Sequence, residues 1–276
     1  MQFVRSHCAF GIRGARWIFT AITAAGTVLL SAAAAPNAAE TCGGPFTPRQ
    51  DTLPVPPPAR AIQLFDGKGT NLFVSMAGGR IDWPIAGGAL VSTPNSRRSN
   101  NIVSRLHFRD ADMHVEFLLP RTGDGNSGVY VHGIYELQIL NSFGKAEPDA
   151  SGMGGVYGLF KPLVNAARRP GQWQVYDIRF CAPQRDAIGK LIAEGAITAW
   201  LNGRKIQDNV PVGQAESKYN PYRYDTTPYL EAIWQRQQRD MTGPLILQDH
   251  DNPVHFRNIW VRPLDDRAFM YDPSSD

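Results

Sequence analysis

Between Gly125 and Asn141 the chain alternates with a period of two. Val129, Val131, Tyr135, Leu137 and Ile139 share one parity; Tyr130, His132, Glu136 and Gln138 share the other. A strand sends alternate side chains to opposite faces, so the stretch reads as one long strand with a core face and a polar, aromatic face. Tyr, His, Glu and Gln together fit a groove that grips a ligand better than a face washed by bulk water. Shorter runs punctuated by Gly, Pro and Asn predict further strands at 62–65, 83–85, 89–92, 101–104, 113–119, 155–158, 174–181, 196–201, 205–209, 246–249 and 256–263. The run 113–119 alternates less cleanly than a surface strand, which suits a central position. Asn202-Gly203 is the strongest hairpin signal, because both central residues of such a turn take positive φ.

Only Leu230 to Arg239 has helical spacing, with Leu230, Ile233 and Trp234 on one side. With no βαβ rhythm and no fixed repeat, the expectation is an all-β antiparallel sandwich or jelly roll with one short helix. Residues 61–265 suit one large domain. Residues 40–60, dense in Pro (54, 56, 57 and 58), read as a linker or an arm laid over the body. Residues 266–276 read as a C-terminal tail.

The N-terminus alters the charge picture. Arg5, Arg13 and Arg16 precede an uncharged, Ala- and Leu-rich run from Ile18 to Ala35, the pattern of a secretory signal peptide over residues 1–39 with cleavage between 34 and 39. Removing it takes three arginines and no acid, so the formal +3 becomes 3 − 3 = 0. A neutral mature chain does not offer the clustered basic surface that nucleic acid or an anionic membrane needs. The expected location is periplasmic or secreted, without stable membrane insertion once the leader is gone. Cys42 and Cys181 then remain, and two cysteines in an exported chain can pair, tying the arm to the body. No oligomeric state is legible.

Several familiar chemistries are missing from the sequence. There is no phosphate-cradling glycine loop, no closely spaced Cys/His set and no Gly-x-Ser-x-Gly elbow, and Ser127 reads as a turn residue. A glycosidase needs two carboxylates about the scissile bond. Side chains two apart on a strand are roughly 6.6 Å apart, but the partner of Glu136 at that spacing is Gln138, an amide that cannot be nucleophile or acid. A second dense stretch, Gln248-Asp249-His250-Asp251-Asn252, sets a histidine between two acids, an arrangement suited to proton transfer near neutral pH. Turn chemistry explains the same residues equally well. His114 and His255 read as structural histidines, and Arg257 either orients a polar ligand or pairs with a buried acid.

Taken in order, Leu64-Phe65-Asp66-Gly67, Asn126-Ser127-Gly128-Val129, Tyr135-Glu136-Leu137-Gln138-Ile139-Leu140, Gly155-Val156-Tyr157-Gly158, Asn165-Ala166, Pro170-Gly171-Gln172-Trp173, Trp200-Leu201-Asn202-Gly203, Leu247-Gln248-Asp249-His250 and Phe256-Arg257-Asn258-Ile259-Trp260 resemble the 3-keto-disaccharide hydrolase domain family, long classed as a domain of unknown function. The resemblance implies a concanavalin A-like jelly roll in exported bacterial proteins. It also implies action on sugars or glycosides whose C3 hydroxyl has become a ketone. It places Asn126, Glu136, Gln138, Gln248, His250 and Arg257 in the groove, beside which His132 and Tyr157 are expected to bind substrate. Two departures are Gln174, where the family often has Asn, and the long segment 214–242, expected as a lid or groove wall.

That chemistry removes the need for a second carboxylate. A C3 ketone acidifies the C2 hydrogen, so one base can remove it and the enolate can expel the group at C1. Glu136 or His250 is the base and the other the acid, with Gln138, Asn126 and Arg257 holding hydroxyls or the oxyanion. One base, one acid and an enolate stabiliser suffice, and a divalent cation can replace a protein donor at the enolate; the sequence leaves both arrangements open. The competing expectation is a lectin-like module that binds a small-molecule sugar without cleaving it, since fold alone does not decide function.

Overall fold

The computed structural model describes residues 42–48, 50–93, 99–213, 217, 219–224 and 226–272; the expected leader and its cleavage point lie outside them. In chain order the strands are β1 (Ile62–Phe65), β2 (Phe73–Ser75), β3 (Ile85–Ala86), β4 (Ala89–Val91), β5 (Ile102–Phe108), β6 (Ala111–Leu118), β7 (Ser127–Val131), β8 (Tyr135–Ile139), β9 (Trp173–Cys181), β10 (Gln184–Arg185), β11 (Leu191–Ala193), β12 (Gly195–Leu201), β13 (Arg204–Val212), β14 (Gly243–Leu247), β15 (His255–Pro263) and β16 (Phe269–Met270). The helix α1 (Pro228–Asp240) stands between β13 and β14.

Two antiparallel sheets form a jelly-roll sandwich. The larger is ordered β13-β12-β9-β6-β15-β4-β3, with β1 also on β15; the smaller is β16-β5-β14-β7-β8, with β2 also on β5. Buried Val115, Phe117, Ile178, Phe180 and Ile197 of the larger sheet and Val129, Val131, Leu137, Leu245 and Leu247 of the smaller belong to one core. The β6 strand is central, between β9 and β15, as its uneven alternation predicts. Asn202 and Gly203 turn β12 into β13 with φ of 50° and 84°. Thr227 caps α1, its Oγ1 accepting from Leu230 N at 3.2 Å, with Pro at the first helical position, where no N–H is needed. Among the described residues no helix is long and apolar enough to cross a membrane.

Three expectations are corrected. The stretch 125–141 is a hairpin, not one strand: His132 (φ 55°) and Gly133 (φ 64°) form a tight turn closed by Ile134 N donating to Val131 O at 3.1 Å. The face assignment survives, since Val131 pairs with Tyr135, Val129 with Leu137 and Tyr130 with Glu136 across the hairpin. Residues 155–158 are no strand; Val156 makes isolated bridges to Leu137 and Phe160. The expected tail instead carries β16, paired to β5, and Tyr271, buried behind it.

The outer face of the larger sheet is also covered. Asp112, His114 and Glu116 alternate with the core residues of β6 and are buried. Asp112 accepts from Arg179 Nε at 2.7 Å and Arg262 Nε at 3.2 Å, His114 Nδ1 lies 2.7 Å from Asp177, and Glu116 accepts from Arg257 Nε at 2.8 Å. The Pro-rich arm lies over these rungs. Gln50 Nε2 donates to Asp177 at 2.6 Å, Val55 N donates to Glu116 at 2.9 Å, and Cys42 is bonded to Cys181 with their Cα atoms 5.7 Å apart.

Candidate active site

The polar face of the β7–β8 hairpin forms the floor of a cavity of about 680 Å³. Tyr130 and Glu136 lie directly opposite each other, and Gln138 opposes Gly128. Glycine at 128 is required by that packing: a Cβ there would stand 2.8 Å from Glu136 Cγ, so the carboxylate lies across the bare backbone. Residues 154–157 run along β8 and fix Tyr157 at the cavity, with Tyr157 N donating to Glu136 O at 2.9 Å and Gln138 N to Gly155 O at 3.0 Å.

The adjoining strand supplies the next wall. Gln248 N donates to Gly128 O at 3.0 Å and Ser127 Oγ to Gln248 O at 2.6 Å, pinning the end of β14 against β7. Ser127 is thereby a buried structural hydroxyl. The Gln248 side chain donates to Tyr130 Oη at 3.0 Å, and the Tyr130 hydroxyl donates to the Glu136 carboxylate. Glu136 is 3 % exposed. Burial pushes its carboxyl up to about 7, against the opposing effect of the Tyr130 hydrogen bond. Asp249, whose N–H is held by Asn101 Oδ1 at 2.9 Å, is also buried, and burial raises its carboxyl. His250 and Asp251 are exposed at the edge of the same cavity.

Asn126 Oδ1, Gln138 Oε1, Gln248 Oε1 and Asp249 Oδ1 are buried and have no protein partner, and all four residues line the cavity. An unpaired buried acceptor costs about 1–3 kcal/mol, so four around one cavity mark a place built to receive hydroxyl groups. Among the described residues no three His, Cys, Asp or Glu side chains converge as a metal-ligand set.

Asn126, Glu136, Gln138, Tyr157, Gln248 and His250 are thus brought together. Two expected members are not. His132 occupies the hairpin turn instead of the groove face, buried between Phe108 and Phe180 with ring centroids at 5.2 and 4.5 Å; the chain reverses there, so strand parity does not extend through it. Arg257 belongs to the outer face of the larger sheet, where it pairs with Glu116 and stacks 3.8 Å above the Trp173 ring. Tyr130 and Asp249 are the residues that sequence reading undervalued. Tyr130 shares the parity of Glu136, a signal that was present. Tyr219, Pro221 and Tyr224, from the segment expected as a lid or groove wall, line the same cavity.

A jelly roll whose smaller sheet carries a cavity of amides, tyrosines and the buried carboxyls of Glu136 and Asp249 defines a carbohydrate-active, glycosyl-hydrolase-like domain. The chain belongs to the family of the 3-keto-alpha-glucoside-1,2-lyase-like domain, whose model matches residues 60–262. A protein of Parabacteroides distasonis ATCC 8503, provisionally assigned as a glycosyl hydrolase, is 30 % identical, with 74 % of this chain and 84 % of that one covered and a TM-score of 0.62. A second such protein from the same organism is 21 % identical over 74 % of this chain and 94 % of its own, with a TM-score of 0.49. Curated proteins yield no match.

Proposed function

We propose that the domain cleaves 3-keto-glycosides by elimination across C1 and C2 followed by hydration, with Glu136 as the base. The observation that carries this reading is the Glu136 carboxyl itself, buried at the cavity floor and pushed up to about 7, where a group can both take and return a proton. The family description, which names a 1,2-lyase-like domain, supports the same bond.

The step balances without an external oxidant. Glu136 removes the C2 hydrogen as a proton, and the electron pair passes into the C2–C3 enolate. The enolate then reforms the ketone as the C1–O bond breaks, leaving a C1=C2 double bond. The departing oxygen takes its proton from His250 at the cavity edge. Water then adds across the double bond, its hydroxyl going to C1 and its remaining proton restoring His250, while the proton held by Glu136 returns to C2. Net, glycoside and water give keto sugar and free aglycone. Tyr130, tied to Gln248, holds the carboxylate in place, while the Asn126, Gln138 and Gln248 amides take the ring hydroxyls and offer N–H groups to the enolate oxygen. The leader-like N-terminus and the Cys42–Cys181 bridge support action in an oxidising, exported setting.

Incubating the oxidised protein with 3-keto-glucosides and their unoxidised parents tests this reading. Cleavage is expected for the keto compounds alone, with deuterium from solvent entering C2. Glu136→Gln and His250→Ala are each expected to lower turnover by about 100-fold or more, the range for loss of a general acid or base. Equal cleavage of the parents would refute elimination. Full binding of keto sugars with no turnover by the unaltered protein would make the cavity a lectin site.

A further inference from the structure

The cavity has two chemically different parts. At about 680 Å³ it lies mid-range for sites that enclose a whole drug-sized ligand, about 300–1,000 Å³, and exceeds what one sugar ring fills. Its floor carries the four unpartnered acceptors and Glu136. Its mouth carries Tyr157, Tyr219 and Tyr224, edge-on to one another with ring centroids 6.3 Å apart in each successive pair and interplanar angles of 67° and 76°. Tyr219 is 47 % exposed and Tyr224 59 %.

These two rings are not loose surface aromatics. Between them Asn220 is buried, its Nδ2 donating to Ser217 O at 2.8 Å and its carbonyl accepting from Arg223 N and Tyr224 N, both at 3.0 Å. Tyr222 points the other way, its hydroxyl donating to Gln237 Oε1 at 3.1 Å and its ring against Trp234 at 5.1 Å. The same ring packs on Gly133, where a Cβ would meet it at 2.8 Å. The turn is therefore anchored to α1 and to the hairpin that carries Glu136, and it holds two large apolar faces out at the cavity mouth. Aromatic rings favour edge-to-face and offset-stacked neighbours, so a further ring can join this set.

We propose that Tyr219 and Tyr224, with Tyr157, form the subsite for the leaving group and select glycosides with an aryl aglycone. The inference rests on the reading of the cavity as a glycoside-cleaving site. The acceptors of Asn126, Gln138, Gln248 and Asp249 at the floor suffice for the hydroxyls of one 3-keto-glucosyl unit, those at C2, C4 and C6. The wall of Tyr157, Tyr219, Pro221 and Tyr224 carries no amide or carboxylate of its own, and the polar edge groups His250 and Asp251 belong to the segment that follows β14. An aromatic ring asks only for stacking faces.

The test measures binding of methyl, phenyl and glucosyl 3-keto-glucosides to Glu136→Gln protein by calorimetry, with unoxidised phenyl glucoside as a fourth ligand. The phenyl compound is expected to bind roughly tenfold tighter than the methyl compound, the worth of one aromatic pair. Adding Tyr219→Ala and Tyr224→Ala should erase that advantage and leave the methyl compound within about twofold. The corresponding Phe replacements should keep the advantage, which separates ring loss from misfolding. Equal binding of phenyl and methyl compounds, equal weakening of both by the Ala pair, no binding of any ligand, or a larger advantage for the glucosyl compound would each overturn the proposal. If the Tyr-dependent phenyl preference appears but unaltered protein fails to cleave 3-keto compounds, the subsite stands and the elimination reading falls.

Discussion

A methyl group at position 128 would press on the Glu136 side chain, so Gly128→Ala tests how finely the proposed base is placed. Turnover is expected to fall by about tenfold or more with the fold retained, since small displacements of a reacting group are costly; circular dichroism beside steady-state rates would check both halves. The raised Glu136 carboxyl also links activity to stability. Its ordinary value is 4.5 and its folded value about 7, so its neutral form favours the folded state. That contribution is complete below 4.5 and is lost as pH rises through about 7. Glu136→Gln should therefore unfold at higher denaturant than the parent at pH 8, by up to about 3 kcal/mol, with the difference shrinking at pH 5. Turnover should climb through about pH 7 as the base ionises, and a rate flat from pH 5 to 9 would exclude Glu136 from that role. Much of this residue-scale placement was legible in the sequence, because period-two parity put Tyr130, Glu136 and Gln138 together. Arg257 was not, because an arginine that pairs with a buried acid looks the same in sequence as one that awaits a ligand.

At the scale of elements, the β7–β8 hairpin and α1 meet over two histidines that carry no charge. His132, in the turn, and His107, on β5 and stacked 4.7 Å from Tyr271, are each lowered to about 3. Burial is the main cause, and for His107 the neighbouring His132 and Arg236 add to it. With folded values below the ordinary 6.5, their stabilising effect is present above 6.5 and is lost as pH falls toward 3. His107→Phe keeps a ring against Tyr271 and removes two unpartnered nitrogens. It should match or exceed the parent at pH 7 and resist unfolding better at pH 4, by about 2–3 kcal/mol. Thermal melts at the two pH values decide it. The turn that holds His132 was hidden in sequence, since it lacks the Asn-Gly pair that betrayed 202–203 and left-handed His is uncommon. The helix was legible from Leu230 and Ile233, but not that the segment before it would place Tyr219 and Tyr224 at the cavity, which depends on which of several tyrosines the turn buries.

For the whole molecule, the arm and the larger sheet form a unit. Asp112 pairs with Arg179 and Arg262, Glu116 with Arg257, and Asp177 with His114 and with Gln50 of the arm. Burial opposes charge on His114, but Asp177 and Glu116 outweigh it and raise its pKa. Such a ladder is costly when broken, because each lost partner strands a buried charge. The arm that covers it is held by Cys42–Cys181, which closes a loop spanning 139 positions. Replacing both cysteines by serine should cost about 2–5 kcal/mol, read as a lower denaturation midpoint that reductant does not lower further. The uneven pattern of β6 now has its reason: both faces are buried, one by hydrophobic packing and one by charge pairing under the arm. For a protease the bridge sets a boundary: trimming that stops short of Cys42 leaves the arm tied at both ends, whereas a cut between Cys42 and Gln50 leaves it without that tether, held through β1 and through the bonds of Gln50 to Asp177 and Val55 to Glu116.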